Sequence, residues 1–175
     1  MRVVAGTARG RRLHAPPGRD VRPTSDRVRE AMFSSLESIG AIHDATVVDL
    51  FAGTGALGIE ALSRGARHVT FVDDAAAAIR TIEDNLAATD LGGAHATVVR
   101  SDVLRWVTDA PAVDVVFADP PYAFDDWRTL AGTVNAPLLV VESDREPDLG
   151  HGWQVLRAKR YGTTVVVTAC RRPTP

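Results

Sequence analysis

The sequence of 175 residues predicts one α/β domain built on a mostly parallel seven-stranded sheet, with helices on both faces. From residue 47 onward, short apolar segments alternate with helix-like segments, which is typical of β-α-β units. Near the carboxyl end, two further β-rich segments flank a turn and predict an antiparallel hairpin at one edge of the sheet. Hydrophobic residues make up 45% of the chain, enough for one buried core, and the length leaves little room for a second domain.

Each parallel strand is expected where a short run of apolar, often β-branched residues occurs. These runs are 47–51, 68–73, 96–100, 113–118 and 137–142. Helices are expected between the first four, at 56–64, 75–88 and 102–108. Gly65 supports the end of the first helix, because glycine is favoured just beyond a helix C-terminus. The C-terminal hairpin is expected to pair 154–160 with 163–170.

The segment before the sheet is predicted to form a small β-hairpin and one helix. Residues 2–4 and 11–14 flank a turn and can pair, within a basic arm that spans 1–23. The following stretch, 24–39, is expected to be an amphipathic helix packed on the sheet. Its apolar stripe consists of Val28, Met32, Leu36 and Ile39. The catalytic core is therefore expected to cover 24–175.

Charge is distributed unevenly along the chain. Residues 1–30 contain eight arginines and three acidic residues, a balance of +5 in a chain of net charge −2. The rest of the chain therefore has a balance of −7. A basic arm on an acidic body indicates contact with a polyanion such as nucleic acid, although a solvated loop would have the same composition.

A glycine-containing segment links the first predicted strand to the next helix. It reads DLFAGTGALG over 49–58, and its last six residues satisfy G-x-G-x-x-G. With Asp73 twenty residues after Gly53, this is also the spacing of a dinucleotide fingerprint. The carboxylate of Asp49, however, suits a cationic ligand better than a pyrophosphate. S-adenosylmethionine, which has sulfonium and ammonium groups, is therefore favoured over a nicotinamide cofactor.

Four aspartates fall at or just beyond the ends of successive predicted strands. They are Asp49, Asp73, Asp102 and Asp119. Ligands of open α/β sheets bind at that edge, so the four are expected to converge on one crevice. There Asp73 could accept hydrogen bonds from both ribose hydroxyls, and Asp102 from an adenine amino group. Each aspartate taken alone could instead be a loop or N-cap residue.

The most specific segment is Asp119-Pro120-Pro121-Tyr122, directly after the predicted strand 113–118. The amino nitrogen of a purine is a poor nucleophile because its lone pair is delocalised into the ring. Asp119 and the Pro120 carbonyl can each accept one N–H, which aims the lone pair at a methyl carbon. The prolines hold that carbonyl rigidly, and an extruded base can stack on Tyr122. In-line methyl transfer to an amino group, without a metal, is predicted.

These motifs resemble those of known methyltransferases. Residues 47–143 resemble the Rossmann-like class I methyltransferases, with 119–122 similar to the D/N-P-P-Y/F motif of amino methylases. The segments RVVAG at 2–6, GRRL at 10–13 and RPTSDRVREAMF at 22–33 are similar to the RsmD family. This resemblance covers most of the chain. It implies methylation of N2 of a guanine in 16S ribosomal RNA, guanine 966, with the assembled or nearly assembled small subunit as substrate.

Carried over residue by residue, the resemblance implies two sets of site residues. The cofactor contacts would come from Asp49, Phe51, Gly53, Gly55, Asp73, Asp102 and Val103. The catalytic contacts to the target base would come from Asp119, Pro120 and Tyr122. In the basic arm and the helix after it, RNA contacts are expected from Arg9, Arg11, Arg12, Arg22, Arg27 and Arg29. Relatives usually have a glutamate where this chain has Asp73-Asp74, so either aspartate could bind the ribose.

Several alternatives remain open from sequence alone. An N6-adenine methylase of nucleic acids shares the DPPY motif but normally brings a separate target-recognition region. A glutamine methylase of proteins is better matched by NPPY than by a motif that opens with Asp119. The glycine spacing leaves a nicotinamide-dependent oxidoreductase open, and the arm leaves a noncatalytic RNA-binding module open.

The remaining residues indicate a cytoplasmic protein, and we expect it to act as a monomer. A single cysteine, Cys170, excludes an intrachain disulfide, and no 18-residue apolar segment or signal-type sequence is present. The five histidines show no metal-ligand spacing, so no metal is expected. The three tryptophans are expected to pack in the core, although Trp127 lies close enough to the DPPY motif to line the target pocket.

Overall fold

Seven strands form one sheet in the computed structural model, which describes residues 1–15 and 25–173. In chain order they are β1 (Thr46–Leu50), β2 (His68–Asp73), β3 (Ala96–Arg100), β4 (Val115–Ala118), β5 (Leu138–Ser143), β6 (Trp153–Tyr161) and β7 (Thr164–Arg171). Their order across the sheet is β3-β2-β1-β4-β5-β7-β6. The first five strands are parallel, and β7 runs antiparallel to both β5 and β6. The predicted sheet is therefore confirmed.

Helices cover both faces of this sheet, as the sequence predicted. They are α1 (Asp26–Ser38), α2 (Ala56–Ser63), α3 (Ala76–Thr89), α4 (Val103–Thr108) and α5 (Trp127–Thr133). The first three pack into one core cluster and the last two into another. The seven-residue α5 was not predicted, because its short sequence contains a glycine and two threonines. None of the described helices is both long enough and apolar enough to cross a membrane.

The central strands are apolar on both sides because each face is covered by helices. Along β4, Val115 and Phe117 belong to one core cluster, and Val116 belongs to the other. Gly58 of α2 allows the closest approach of helix to sheet, since a Cβ atom there would lie 2.2 Å from Cε1 of Phe71. That close approach packs the first turn of α2 against β2.

Three of the four residues predicted to form the apolar stripe of α1 are buried, and the fourth is exposed. Val28, Met32 and Leu36 are buried, as expected. The prediction that Ile39 continues the stripe is wrong, since it is 58% exposed. The helix ends at Ser38, and the Ile39 N–H bonds to the Leu36 carbonyl as the chain turns away. A residue beyond the helix end no longer follows the helical period.

The N-terminal hairpin, residues 1–15, is docked on α2. Its strands meet in one antiparallel bridge, Arg2 with Arg12, and not in the longer pairing that was expected. The buried carboxylate of Glu60 accepts hydrogen bonds from the N–H groups of Val4, at 2.8 Å, and Ala5, at 3.0 Å. These charge-assisted bonds hold the hairpin as part of the core, which argues against a loose solvated loop.

A Gly6→Ala substitution is expected to destabilise this docking strongly. The new Cβ would lie 1.8 Å from the Ser63 carbonyl oxygen, at a residue whose φ is +80°. We expect a loss of about 3 kcal/mol in the free energy of unfolding, from backbone strain and overpacking together. Gly10→Ala is the matched control, because φ is +84° there and nothing lies within 4 Å. It should cost about 1 kcal/mol in urea unfolding; equal losses in both variants would refute the docking.

Candidate active site

The crevice lies at the carboxyl ends of β1 and β4, where the strand order changes direction. The chain proceeds from β1 toward β2 and β3 on one side, and from β4 toward β5 on the other. The loops that follow β1 and β4 therefore separate and leave a binding site between them. Register places Leu50 beside Ala118, and the Asp119 N–H approaches the Leu50 carbonyl at 3.5 Å. The cofactor loop, residues 51–55, thus begins next to the DPPY segment, residues 119–122.

Within the cofactor loop, residues in the left-handed backbone conformation turn the chain from β1 into α2. Gly53 and Gly55 have φ values of +56° and +75°, as glycine allows. Phe51 also has a φ of +56°, which is costly for a residue with a side chain. Such a conformation persists only where surrounding contacts enforce it, and such residues cluster at functional sites.

Asp49 is a buried carboxyl group at the floor of the crevice. Its Oδ2 accepts a hydrogen bond of 2.9 Å from the Gly58 N–H, in the first turn of α2. The Gly58 N–H is therefore already bonded to a protein carboxylate and cannot donate to a bound pyrophosphate. This disfavours a dinucleotide as the ligand. Burial raises the pKa of Asp49 to about 8; the Gly58 hydrogen bond opposes this shift and the charge of Asp73 adds to it.

Asp73 connects the end of β2 to the cofactor loop. Its two carboxylate oxygens accept hydrogen bonds of 2.9 Å from the N–H groups of Gly53 and Ala75. Each oxygen has a second lone pair, so the group can still accept from ligand hydroxyls. The neighbouring Asp74 is exposed instead. The geometry therefore favours Asp73 over Asp74 as the ribose ligand.

Asp102 and Val103 stand at the start of α4, beyond β3. Asp102 is the N-cap residue of α4, which was the alternative role that the sequence left open for it. Its Oδ1 accepts a hydrogen bond of 2.8 Å from the Arg105 N–H. Its side chain is exposed, and Oδ2 remains available as an acceptor. Val103 is buried and offers an apolar surface beside it.

The DPPY segment presents a half-buried aspartate, Asp119, and an exposed ring. Tyr122 is 45% exposed, whereas Pro120 is buried. Burial raises the pKa of Asp119 well above its usual range, and the carboxylates of Glu142 and Asp49 raise it further. These three acidic groups lie at the carboxyl ends of the neighbouring strands β1, β4 and β5.

The carboxylates of the crevice suit a cationic cofactor. Carboxylates that raise one another's pKa are stabilised when a positive charge enters between them. The sulfonium and ammonium groups of S-adenosylmethionine would supply such charge, and Asp73 and Asp102 keep free lone pairs that could accept hydrogen bonds from a ligand. Within the described ranges, no group of three or more potential metal-ligating side chains is present.

Three aromatic rings join the cofactor loop to the segment after the DPPY motif. Phe51 packs against Phe124 with ring centroids 5.1 Å apart, and Phe124 packs edge-on against Trp127 at 5.0 Å. Trp127 is buried, in agreement with the packing role expected for it. Phe124 was not predicted, although its position two residues after Tyr122 offered a signal.

Two buried polar residues that the sequence analysis missed link the N-terminal hairpin to the site. Glu60 holds the hairpin backbone, and Asn85 of α3 exchanges hydrogen bonds with the His14 backbone at 2.8 and 3.0 Å. The Asn85 amide also donates to the Thr54 carbonyl in the cofactor loop, at 2.9 Å. A polar residue on the apolar stripe of a predicted helix is the signal that could have revealed Asn85.

The predicted RNA-contacting arginines divide into three groups. Those exposed on the surface are Arg9, Arg11, Arg12 and Arg27. Arg22 lies outside the described residues. The prediction for Arg29 is wrong, because its side chain is 0% exposed and its guanidinium donates to the Arg2 carbonyl and to Asp26. Arg29 therefore fixes α1 to the hairpin.

The raised pKa of Asp49 predicts a pH-dependent cofactor affinity. With a pKa of about 8, the ligand-free carboxyl is mostly protonated at neutral pH. A cationic ligand favours its ionised form, so affinity should rise by up to about tenfold per pH unit and level off above pH ~8. Calorimetry in buffers of different ionisation enthalpy would detect the released proton. A wild-type affinity unchanged from pH ~6 to ~8, or the same dependence in Asp49→Asn, would contradict this.

The sheet order, the cofactor loop and the DPPY segment together define a Rossmann-like methyltransferase. Comparisons with known proteins agree. A solved structure named "Putative methyltransferase yhhF from Escherichia coli" superposes with a TM-score of 0.86 at 33% identity, covering 99% of both chains. The family model described as conserved hypothetical protein 95 matches residues 1–169. The chain belongs to this family, the RsmD family.

Curated relatives match over nearly the whole chain. "Putative rRNA methyltransferase YlbH" of Bacillus subtilis is 37% identical, over 98% of this chain and 100% of its own length. "Ribosomal RNA small subunit methyltransferase D" of Escherichia coli is 35% identical, over 93% of this chain and 85% of its own length. A Haemophilus influenzae protein of the same name is 34% identical, over 93% and 89%.

Proposed function

We propose that this protein transfers a methyl group from S-adenosylmethionine to the N2 amino group of a guanine in 16S ribosomal RNA, guanine 966. The substrate is the assembled or nearly assembled small ribosomal subunit, and the enzyme acts as a monomer. The observation that carries this proposal is the contact between the DPPY segment and the cofactor loop at the β1/β4 crevice. The names of the relatives, which specify ribosomal RNA and its small subunit, support the choice of substrate.

Cofactor binding is assigned to the residues around the cofactor loop. Asp49 faces the cationic part of the cofactor, and Asp73 accepts hydrogen bonds from the ribose hydroxyls. Asp102 accepts from the adenine amino group, with Val103 packing against the ring. Phe51, Gly53 and Gly55 shape the backbone around the ligand. S-adenosylmethionine supplies an electrophilic methyl group when it is bound.

The target amino group is held by the DPPY segment. The Asp119 carboxylate and the Pro120 carbonyl each accept one N–H of the guanine, which directs the nitrogen lone pair at the methyl carbon. Tyr122 stacks on the extruded base. Transfer would form the N–C bond, break the S–CH3 bond and leave S-adenosylhomocysteine, and the methylated nitrogen must then lose a proton. The raised pKa of Asp119 makes its carboxylate a better acceptor for that proton than an ordinary aspartate.

Guanine is proposed over adenine because the segments at 2–6, 10–13 and 22–33, together with the DPPY motif, resemble those of the RsmD family. A small basic surface provides few base-specific contacts, so we expect the folded subunit to supply part of the recognition. Arg9, Arg11, Arg12 and Arg27 are placed to contact RNA phosphates.

Tritiated methyl transfer to small subunits that lack this modification tests the proposal. The product RNA is digested and its nucleosides are separated. N2-methylguanosine is the expected product, with fully modified subunits and free 16S ribosomal RNA accepting little label. N6-methyladenosine, or label found only in ribosomal protein, would overturn the proposed substrate while leaving the methyltransferase class in place.

A further inference from the structure

The C-terminal hairpin, residues 153–173, contains a second concentration of positive charge. Its cations are Arg157, Lys159, Arg160, Arg171 and Arg172, and it contains no aspartate or glutamate. Lys159 is the only lysine of the chain. Between the two basic segments, residues 31–152 have a balance of −12. Two basic ends therefore flank an acidic middle, which includes the carboxylates of the crevice.

Lys159 and Arg160 lie at the crevice edge of the sheet, and Arg157 lies near the middle of the same strand. Strand β6 runs parallel to β5, because both are antiparallel to β7, so its carboxyl end shares the edge of the crevice. Register aligns Lys159 with Val166 and, through it, with Glu142. Ala118 pairs with Val141, so the next residues of these two parallel strands, Asp119 and Glu142, lie at the same level across the sheet. Lys159 thus lies level with Asp119, three strand spacings or about 14 Å away.

These side chains are accessible and keep most of their hydrogen-bonding capacity. Arg157, Lys159 and Arg160 are all exposed on the edge strand. Arg157 donates to Ser35 Oγ at 3.1 Å and Arg160 to the Asp144 carbonyl at 3.3 Å. The Lys159 ammonium lies 5.0 Å from the Tyr161 ring.

Protection of an open strand edge does not explain the position of this charge. Charged residues on edge strands can block unwanted pairing with other chains. The large apolar residues exposed on β6, however, are Val155 and Leu156, in the half of the strand away from the crevice. The bulge between Val155 and Arg157 already interrupts pairing there. The cations lie instead beside the site, where a ligand would meet them.

We propose that Arg157, Lys159 and Arg160 bind phosphates of the RNA substrate on the far side of the crevice from the N-terminal hairpin. The hairpin lies over α2 and α3, on the β1–β3 half of the sheet, and β6 ends the other half. RNA held at both flanks can span the acidic crevice without placing its phosphates against the carboxylates. This inference rests on the proposed function and adds a second contact surface to it.

A charge-matched pair of double variants tests the inference. Lys159→Gln/Arg160→Gln removes two cations at the catalytic edge. Arg67→Gln/Arg172→Gln removes two exposed cations at the opposite edge, before β2 and after β7. Binding of unmodified small subunits is measured across salt concentrations, with S-adenosylhomocysteine affinity as the folding control. The first pair should weaken subunit binding about tenfold and lower the salt slope by about 2, since each phosphate contact contributes about 1.

In methyl transfer, the first pair should raise KM for subunits and leave kcat unchanged, whereas the control pair should match wild type. Equal losses in both pairs, or no loss in the first, would overturn the inference. A loss of affinity with an unchanged salt slope would do the same, because it would point to contact with ribosomal protein. If wild-type enzyme modifies no RNA at all, it is the proposed function that fails.

Discussion

An Asp119→Ala variant is expected to lose methyl transfer by about 10²–10³-fold while binding the cofactor normally. The substitution removes one of the two acceptors that orient the target nitrogen, and an oriented hydrogen bond of this kind contributes that much to the rate. Asp119 lies beyond β4, and its hydrogen bond to the fold runs through its backbone N–H to Leu50. Loss of its side chain should therefore leave the crevice intact. Single-turnover transfer at saturating cofactor and subunits is the measurement.

Asp119→Asn serves as the matched variant. Its amide oxygen still accepts one hydrogen bond, but the charge and the proton acceptor are lost, so we expect an intermediate rate. S-adenosylhomocysteine binding should be the same in wild type and both variants. Full activity in Asp119→Ala would show that the amino group is held elsewhere. Loss of RNA binding together with cofactor binding would indicate a folding defect.

The second large effect is expected from Asp73→Ala, which should weaken cofactor binding by about 100-fold. Two charge-assisted hydrogen bonds to ribose hydroxyls would be lost, at about 1.5 kcal/mol or more each. The cofactor loop would also lose the acceptor of its Gly53 N–H. Titration calorimetry with S-adenosylhomocysteine measures the change directly.

Asp74→Ala is the control for that prediction. Asp74 is the exposed neighbour, and the contact it makes with Arg100 uses its backbone carbonyl, which the substitution preserves. We expect less than about a twofold change in affinity. A larger loss in Asp74→Ala than in Asp73→Ala would reverse the assignment of the ribose ligand.

Strands and loops of the core were predictable because their signals are local. A parallel strand covered on both faces is a short apolar run, and the runs at 68–73 and 96–100 match β2 and β3 residue for residue. The carboxyl ends of parallel strands meet at one edge of the sheet, so aspartates that follow strands could be placed together from the sequence alone. The short α5 lacked such a signal, since seven residues hold too few turns to display a period.

Non-local docking accounts for what the sequence did not reveal. Arg29 looked like a surface cation, but the folded N-terminal hairpin brings the Arg2 carbonyl to it and buries it. Glu60 and Asn85 are polar residues on buried helix faces, and their partners in the N-terminal hairpin are 55 to 71 positions away in the chain. The ring of Phe124 meets Phe51 only once β1 and β4 are adjacent. None of these partners is specified by local periodicity.

Calorimetric titration of the wild-type protein with S-adenosylhomocysteine and, in parallel, with NAD distinguishes a methyltransferase cofactor site from a dinucleotide site. A methyltransferase cofactor site at the carboxyl ends of β1 and β4, with Asp49 against the cationic part of the cofactor, leads to a clear expectation. One molecule of S-adenosylhomocysteine should bind per chain, Asp73→Ala should weaken this binding, and NAD should not compete. Binding of NAD at the same site, or no binding of S-adenosylhomocysteine by the folded protein, would contradict it.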